Sequence, residues 1–147
     1  QKAREEGFVA VAHAGEEGPP EYIWDSINLL KVKRVDHGIQ CLKDDKLVEE
    51  LKKRQIPLTV CPLSNVKLCV FDKLENHNLK KMLNLGLRVM VNSDDPAYFG
   101  GYLNENLIRS QLALDLKLED VKTLIVNSFK SSFLDSRSKN KWIEKIN

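Results

Sequence analysis

No apolar run in the 147 residues approaches the roughly 20 that cross a bilayer, and no signal-peptide pattern opens the sequence. Cysteine is scarce. Cys41, Cys61 and Cys69 are odd in number and lack CxxC spacing, which argues against a disulfide scaffold and predicts reduced thiols in the cytoplasm. Charge of one sign is lacking too: 23 Lys and Arg stand against 21 Asp and Glu. That balance leaves no electrostatic footprint for nucleic acid or an anionic membrane. Runs such as Lys43-Asp44-Asp45-Lys46 mix both signs, as solvated helix faces do. The phosphate-cradling patterns GxxxxGKS/T and GxGxxG are missing, so nucleoside triphosphate and dinucleotide binding lose their support. Ser64 is not in a GxSxG elbow, which removes nucleophilic serine chemistry.

What is present is a composition of 42% hydrophobic and 30% charged residues, in a chain long enough for one domain with a proper core. Short apolar runs alternate with longer amphipathic stretches. Phe8 to His13 predicts a strand between Gly7 and Gly15, and Pro19-Pro20-Glu21 opens a helix with Ile23, Ile27 and Leu30 on its inner face. Arg34 to His37 predicts a second strand that ends at Gly38. Asp44-Asp45 then caps a helix whose Leu47, Val48 and Leu51 face inward. Pro57 to Cys61 is the third strand, closed by Pro62. Asn78 to Leu85 is a helix stopped by Gly86, and Leu87 to Asn92 is the fourth strand. The remainder reads as helices at roughly 103–115, 118–131 and 139–146. Four strands each followed by a helix demand an α/β fold with parallel pairing, either an open sheet covered on both faces or an arc of a closed barrel.

His13, His37, Pro62-Leu63-Ser64-Asn65 and Asp94-Asp95 all fall at or just beyond strand C-terminal ends, the edge where such folds assemble chemistry. His13-Ala14-Gly15-Glu16 sets an imidazole on a strand end and a carboxylate one turn later, a zinc-ligand type beside a proton carrier. Alone it is a weak pattern. His37 reads equally as a strand-end histidine bonded to a backbone carbonyl. Asp94-Asp95-Pro96 is costly to bury without a cation or hydrogen-bond donors, and reads otherwise as a helix N-cap. One rim carrying all of them favours a metal-hydrolase site over coincidence. His77, in the polar run Lys73-Leu74-Glu75-Asn76-His77, reads as surface or helix-cap decoration. Tyr98-Phe99-Gly100-Gly101-Tyr102 reads as a loop, either a substrate lid or the packed entry to the next helix.

His13-Ala14-Gly15-Glu16, Asp36-His37-Gly38, Cys61-Pro62-Leu63-Ser64-Asn65 and Asn92-Ser93-Asp94-Asp95-Pro96 follow one another as in the adenosine and adenine deaminases, zinc enzymes of the amidohydrolase type. The chain resembles that family over nearly its whole length. Pro62 to Leu68 and Ser93 to Tyr102 resemble the bacterial and fungal adenine deaminase branch most. The resemblance implies that His13 and Asp94 would be zinc ligands and that Glu16 would donate a proton to the purine N1. It implies that His37 would orient or deprotonate the zinc-bound water. Asp95 would share a hydrogen bond with the purine N7, and the Gly15 backbone N–H could reach the ring. The implied partner is a small purine, with adenine deaminated to hypoxanthine in a cytoplasmic salvage reaction. Adenosine is the alternative substrate, and a non-catalytic fragment of the fold is the alternative from another class.

Members of this family take two more zinc ligands from a His-x-His motif on their first strand, and this sequence contains none. A (β/α)8 barrel needs about 250 residues. The resemblance therefore implies that residues 1–147 are a partial domain, the last four βα units of a TIM barrel with its C-terminal helices. Gln1 would then be a cut end. Alone, such a piece would bind zinc weakly and turn over negligibly, and its open strand edges would drive self-association.

Overall fold

The computed structural model describes residues 2–146; Gln1, read above as a cut end, lies outside the described residues. The four expected strands form as β1 (Val11–Ala14), β2 (Arg34–His37), β3 (Leu58–Val60) and β4 (Val89–Val91). All pairs are parallel and the spatial order is β1-β2-β3-β4. An open doubly wound sheet reverses its strand order at a switch point, whereas a barrel keeps it sequential. The sequential order has no switch point among the described strands and fits the barrel arc that the resemblance implies.

A short helix α1 (Lys2–Glu5) precedes β1. Between the strands lie α2 (Pro20–Asn28), α3 (Asp45–Arg54), and then α4 (Pro62–Lys67) with α5 (Leu79–Asn84). Pro20 begins α2, where a missing N–H costs nothing, and Asp44 caps α3 by accepting from the N–H groups of Lys46 and Leu47. Asp44 also accepts from Trp24 Nε1 at 2.8 Å, which ties α2 to α3. Ile23, Ile27, Leu47 and Leu51 are fully buried against Val35, Leu58, Val60 and Val89, so the core lies between the helices and the outer face of the sheet. After β4 come α6 (Pro96–Phe99), α7 (Leu103–Leu114), α8 (Leu118–Ser131) and α9 (Ser136–Glu144). Buried Asn106 accepts from the Leu63 N–H and donates to the carbonyls of Gly101 and Tyr102, fastening α7 to α4.

Several local expectations change. β1 is shorter than the apolar run predicts, and Phe8 and Val9 are exposed, because no strand pairs their outer edge among the described residues. Leu30 is exposed because α2 has already ended at Asn28. Pro62 does not merely close β3; it is the first residue of α4. Pro96–Phe99 is helical, so only Gly100 to Tyr102 remain of the expected loop. The two sheet edges also differ. β4 bonds β3 through Arg88 and Asn92, and on its other side the Val89 carbonyl accepts from Asn127 Nδ2 of α8 at 2.9 Å. That edge is covered; the β1 edge is open.

Candidate active site

Register brings the strand ends level. Ala14 pairs with His37 and Val60 with Val91, so His13, His37, Cys61 and Asn92 reach one rim. His37 and Asp94 hold φ of +68° and +57°, left-handed conformations that non-glycine residues adopt at a cost of about 1–3 kcal/mol. These two stand at the end of β2 and just beyond the end of β4; Lys31, Gln55, Cys69 and Asp115 elsewhere in the chain also hold positive φ.

The first turn is tightly made. Gly15 has φ +68°, and a Cβ there would collide with Ile23 Cδ1. Gln40 clamps this turn twice, its backbone N–H donating to the Gly15 carbonyl and its side chain to the Glu16 carbonyl at 2.8 Å. The Glu16 side chain is buried beneath two imidazoles. Its Oε2 is 3.3 Å from His13 Nε2 and its Oε1 is 3.1 Å from His37 Nδ1. The second contact is close but misaligned, so the buried His37 Nδ1 has no hydrogen-bond partner. Asn65 Nδ2 donates to Glu16 Oε1 at 2.6 Å. The His13 side chain is 64% exposed and its ring leans on that of His37, centroids 4.4 Å apart.

Asp94 accepts from Ser64 Oγ at 2.7 Å through one oxygen and from the Asp95 N–H through the other. Asp95 caps α6, its Oδ1 accepting from the N–H groups of Ala97 and Tyr98, so the helix N-cap reading holds for this residue. A cavity of about 340 Å³ is lined by His13, His37, Cys61, Asn92 and Asp94 at the rim, with Arg34, Asp36 and Thr59 below. Of the six residues singled out from sequence, His13, His37 and Asp94 line it; Glu16 lies behind the two histidines, Asp95 follows Asp94 in the chain, and Gly15 is not among the lining residues. Asp36 is occupied by Thr59 Oγ1 and Arg34 Nε, which holds it one layer down.

Of the two sequence readings of His77, surface decoration fails, whereas the helix-cap reading holds, its Nδ1 accepting from the Leu79 N–H at the start of α5. His77 is buried: its ring packs on Phe71 with centroids 4.4 Å apart, and burial pushes its pKa down to about 4. Its Nε2 lies 3.1 Å from Asn65 Oδ1, behind Glu16. Lys73, Glu75 and Asn76 are exposed around it, and that polar setting hid an inward histidine. Gln40 carried no sequence signal beyond its place after Gly38, and Asn65 stood within a strand-end motif but had no role assigned from sequence.

Metal-ligand atoms of His13, Glu16 and His37 lie within 4.8 Å of one another, as do those of His37, Cys61 and Asp94. Burial first, then the nearby Asp94 and Glu16 carboxylates, pushes the Cys61 thiol up to about 12, leaving it a small neutral group. Imidazole nitrogen and carboxylate oxygen at one cavity suit zinc, and the unpartnered His37 Nδ1 and Asn92 Nδ2 there call for a further polar occupant. His37 belongs to both groups, and neither group contains His13 and Asp94 together among the described residues.

Known proteins resemble this chain along its whole length. The chain is 56% identical over 147 residues to an adenine deaminase of Acinetobacter baylyi, covering 100% of this chain and 44% of that protein. It is 64% identical over 138 residues to an adenine deaminase of Crocosphaera subtropica, covering 94% and 42%. The crystal structure of adenine deaminase from Arthrobacter aurescens superposes with a TM-score of 0.98 at 47% identity, over 99% of this chain and 45% of that one. A zinc-bound amidohydrolase from Burkholderia ambifaria superposes at 0.87 with 28% identity, over 97% and 40%. The chain thus spans less than half the length of the proteins it matches. The family model described as adenosine deaminase matches residues 1–147. With every residue matched and the strand-end histidines and carboxylates arranged on half a barrel, the chain belongs to the adenosine deaminase family.

Proposed function

We propose that residues 1–147 form a partial barrel domain carrying half of a zinc-dependent adenine deaminase site, in which adenine and water become hypoxanthine and ammonia. One observation carries this reading: the Glu16 carboxyl is buried with its oxygens 3.3 and 3.1 Å from His13 and His37 at the end of a parallel sheet. The likeness to adenine deaminases supports adenine over adenosine. The three free cysteines suit a reducing compartment, the cytoplasm.

His13 and Asp94 would hold the zinc, with further ligands from outside this chain. When bound, zinc supplies Lewis acidity, lowering the pKa of water from about 15.7 toward 7. His37 orients the water that adds to C6 and takes up its proton. Glu16 gives a proton to N1 as the ring loses aromaticity. Ammonia leaves from C6 and the ring recovers conjugation. Asp95 keeps Oδ2 available for the purine N7–H while Oδ1 caps α6, and the Gly15 N–H faces the ring edge.

Joining this chain to the rest of the Acinetobacter baylyi relative, in place of the segment it matches, makes a complete barrel for the test. Ultraviolet absorbance should report deamination of adenine and far slower reaction of adenosine; the reverse order refutes the substrate. Glu16→Gln should abolish turnover with zinc content unchanged, and Asp94→Asn should lose both. Retention of the original rate by Glu16→Gln removes the proton-donor role.

A further inference from the structure

We propose that His77 and Asn65 form a positioning relay that commits Glu16 Oε1 to accepting a hydrogen bond and leaves Oε2 as the oxygen that carries the proton. This rests on the reading of Glu16 as proton donor and extends it to residues that never touch substrate.

The relay follows from which atoms can donate. The backbone N–H of Leu79 lies 3.0 Å from His77 Nδ1, and a backbone N–H can only donate. Nδ1 is therefore the acceptor and the neutral ring carries its hydrogen on Nε2. That Nε2–H points at the Asn65 side chain at 3.1 Å, which must present its carbonyl oxygen there. The amide of an asparagine is otherwise free to be turned over; here its direction is set. The Asn65 NH2 is then aimed at Glu16 Oε1, 2.6 Å away. One backbone donor at the start of α5 thus dictates, through two side chains, what faces the carboxyl.

Nothing along this line is loose. Glu16, Asn65 and His77 are all buried, and Phe71 packs on the imidazole. Asn65 is pinned at its backbone as well, its N–H donating to the Cys61 carbonyl and its own carbonyl accepting from Val70. Protonation of His77 would set a second N–H against that of Leu79, and burial already holds its pKa near 4. With Oε1 taken by Asn65, a proton on the carboxyl resides on Oε2. That oxygen lies toward His13, the exposed member of the cluster.

Long-range proton–nitrogen NMR of this chain with labelled histidine tests the first link. His77 should show the Nε2–H tautomer from pH 7 to pH 5; the other tautomer, or a protonated ring, overturns the relay. In the grafted barrel, His77→Leu and Asn65→Leu should lower kcat about 10- to 100-fold, with KM for adenine and zinc content changed little. His77→Gln, which can still accept from Leu79 and donate to Asn65, should recover most of kcat. Equal loss in the Gln and Leu variants, or no loss in either, refutes positioning. If Glu16→Gln is inactive while both Leu variants keep full kcat, the relay fails alone. If Glu16→Gln stays active, the proton-donor reading fails, whatever the tautomer of His77.

Discussion

His77 shows how burial turns one side chain into a pH-dependent contribution. Its unfolded form titrates at 6.5 and its folded form at about 4. Below 6.5 the unfolded chain takes up a proton that the folded chain refuses, so the contribution is complete above 6.5 and is lost as pH falls toward 4. The loss at pH 4 is on the order of 3 kcal/mol. Urea unfolding at pH 7 and pH 4 should show this fall, and His77→Gln should remove that share of it; an identical pH dependence in the variant contradicts the assignment. Gly15 carries a different constraint. Gly15→Ala meets both the positive φ and the Ile23 side chain, and should cost about 1–3 kcal/mol beyond Gly7→Ala, whose φ is +87° with nothing within 4 Å. Paired denaturation curves isolate the steric part. Equal losses would show that Ile23 yields at no cost.

At the scale of elements, the caps do more than end helices. Asp44 accepts from Trp24, Lys46 and Leu47, and those hydrogen bonds, Trp24 first, hold its carboxyl below the usual range. Its contribution is therefore present above the unfolded value of 3.8 and is lost as pH falls through the lower folded value. Asp44→Ala should lower the melting temperature at pH 7 and loosen α2 against α3, seen as greater solvent quenching of Trp24 fluorescence. Unchanged fluorescence with a lowered melting point would confine its role to the cap. The strands were legible from their apolar runs and the helix starts from Pro20 and Asp44. The helix α4 was not, because six residues following a strand offer too short a stretch for periodicity. It is α4 that carries Ser64 to Asp94 and Asn65 to Glu16.

For the whole molecule the open side is β1. Phe8 is 70% exposed and Val9 47%, whereas β4 is buried and its outer carbonyl is bonded by Asn127. Self-association of the isolated chain should therefore run through β1, one copy against another. Light scattering should find a dimer or larger, and replacing Phe8 and Val9 by Lys should shift it to monomer. A monodisperse monomer before substitution refutes the proposal. The same incompleteness limits the metal: with His13 and Asp94 alone, zinc should be retained weakly by this chain and firmly by the grafted barrel, as metal analysis of both would show.

The four strands, the helices α2, α3 and α5 between them and the strand-end positions of the rim residues were legible in the sequence, because apolar period and turn chemistry are local properties of the chain, while the half barrel followed from the family resemblance. The partnerships were decided only by tertiary structure. That His77 is buried rather than surface, that it aims Asn65 at Glu16 from 12 residues away, and that α8 closes one edge of the sheet while the other stays open are facts about distant segments meeting. Local pattern can say which residues lie at a strand end. Which donor faces which acceptor there depends on the packing of α4, α5 and α8 around the sheet.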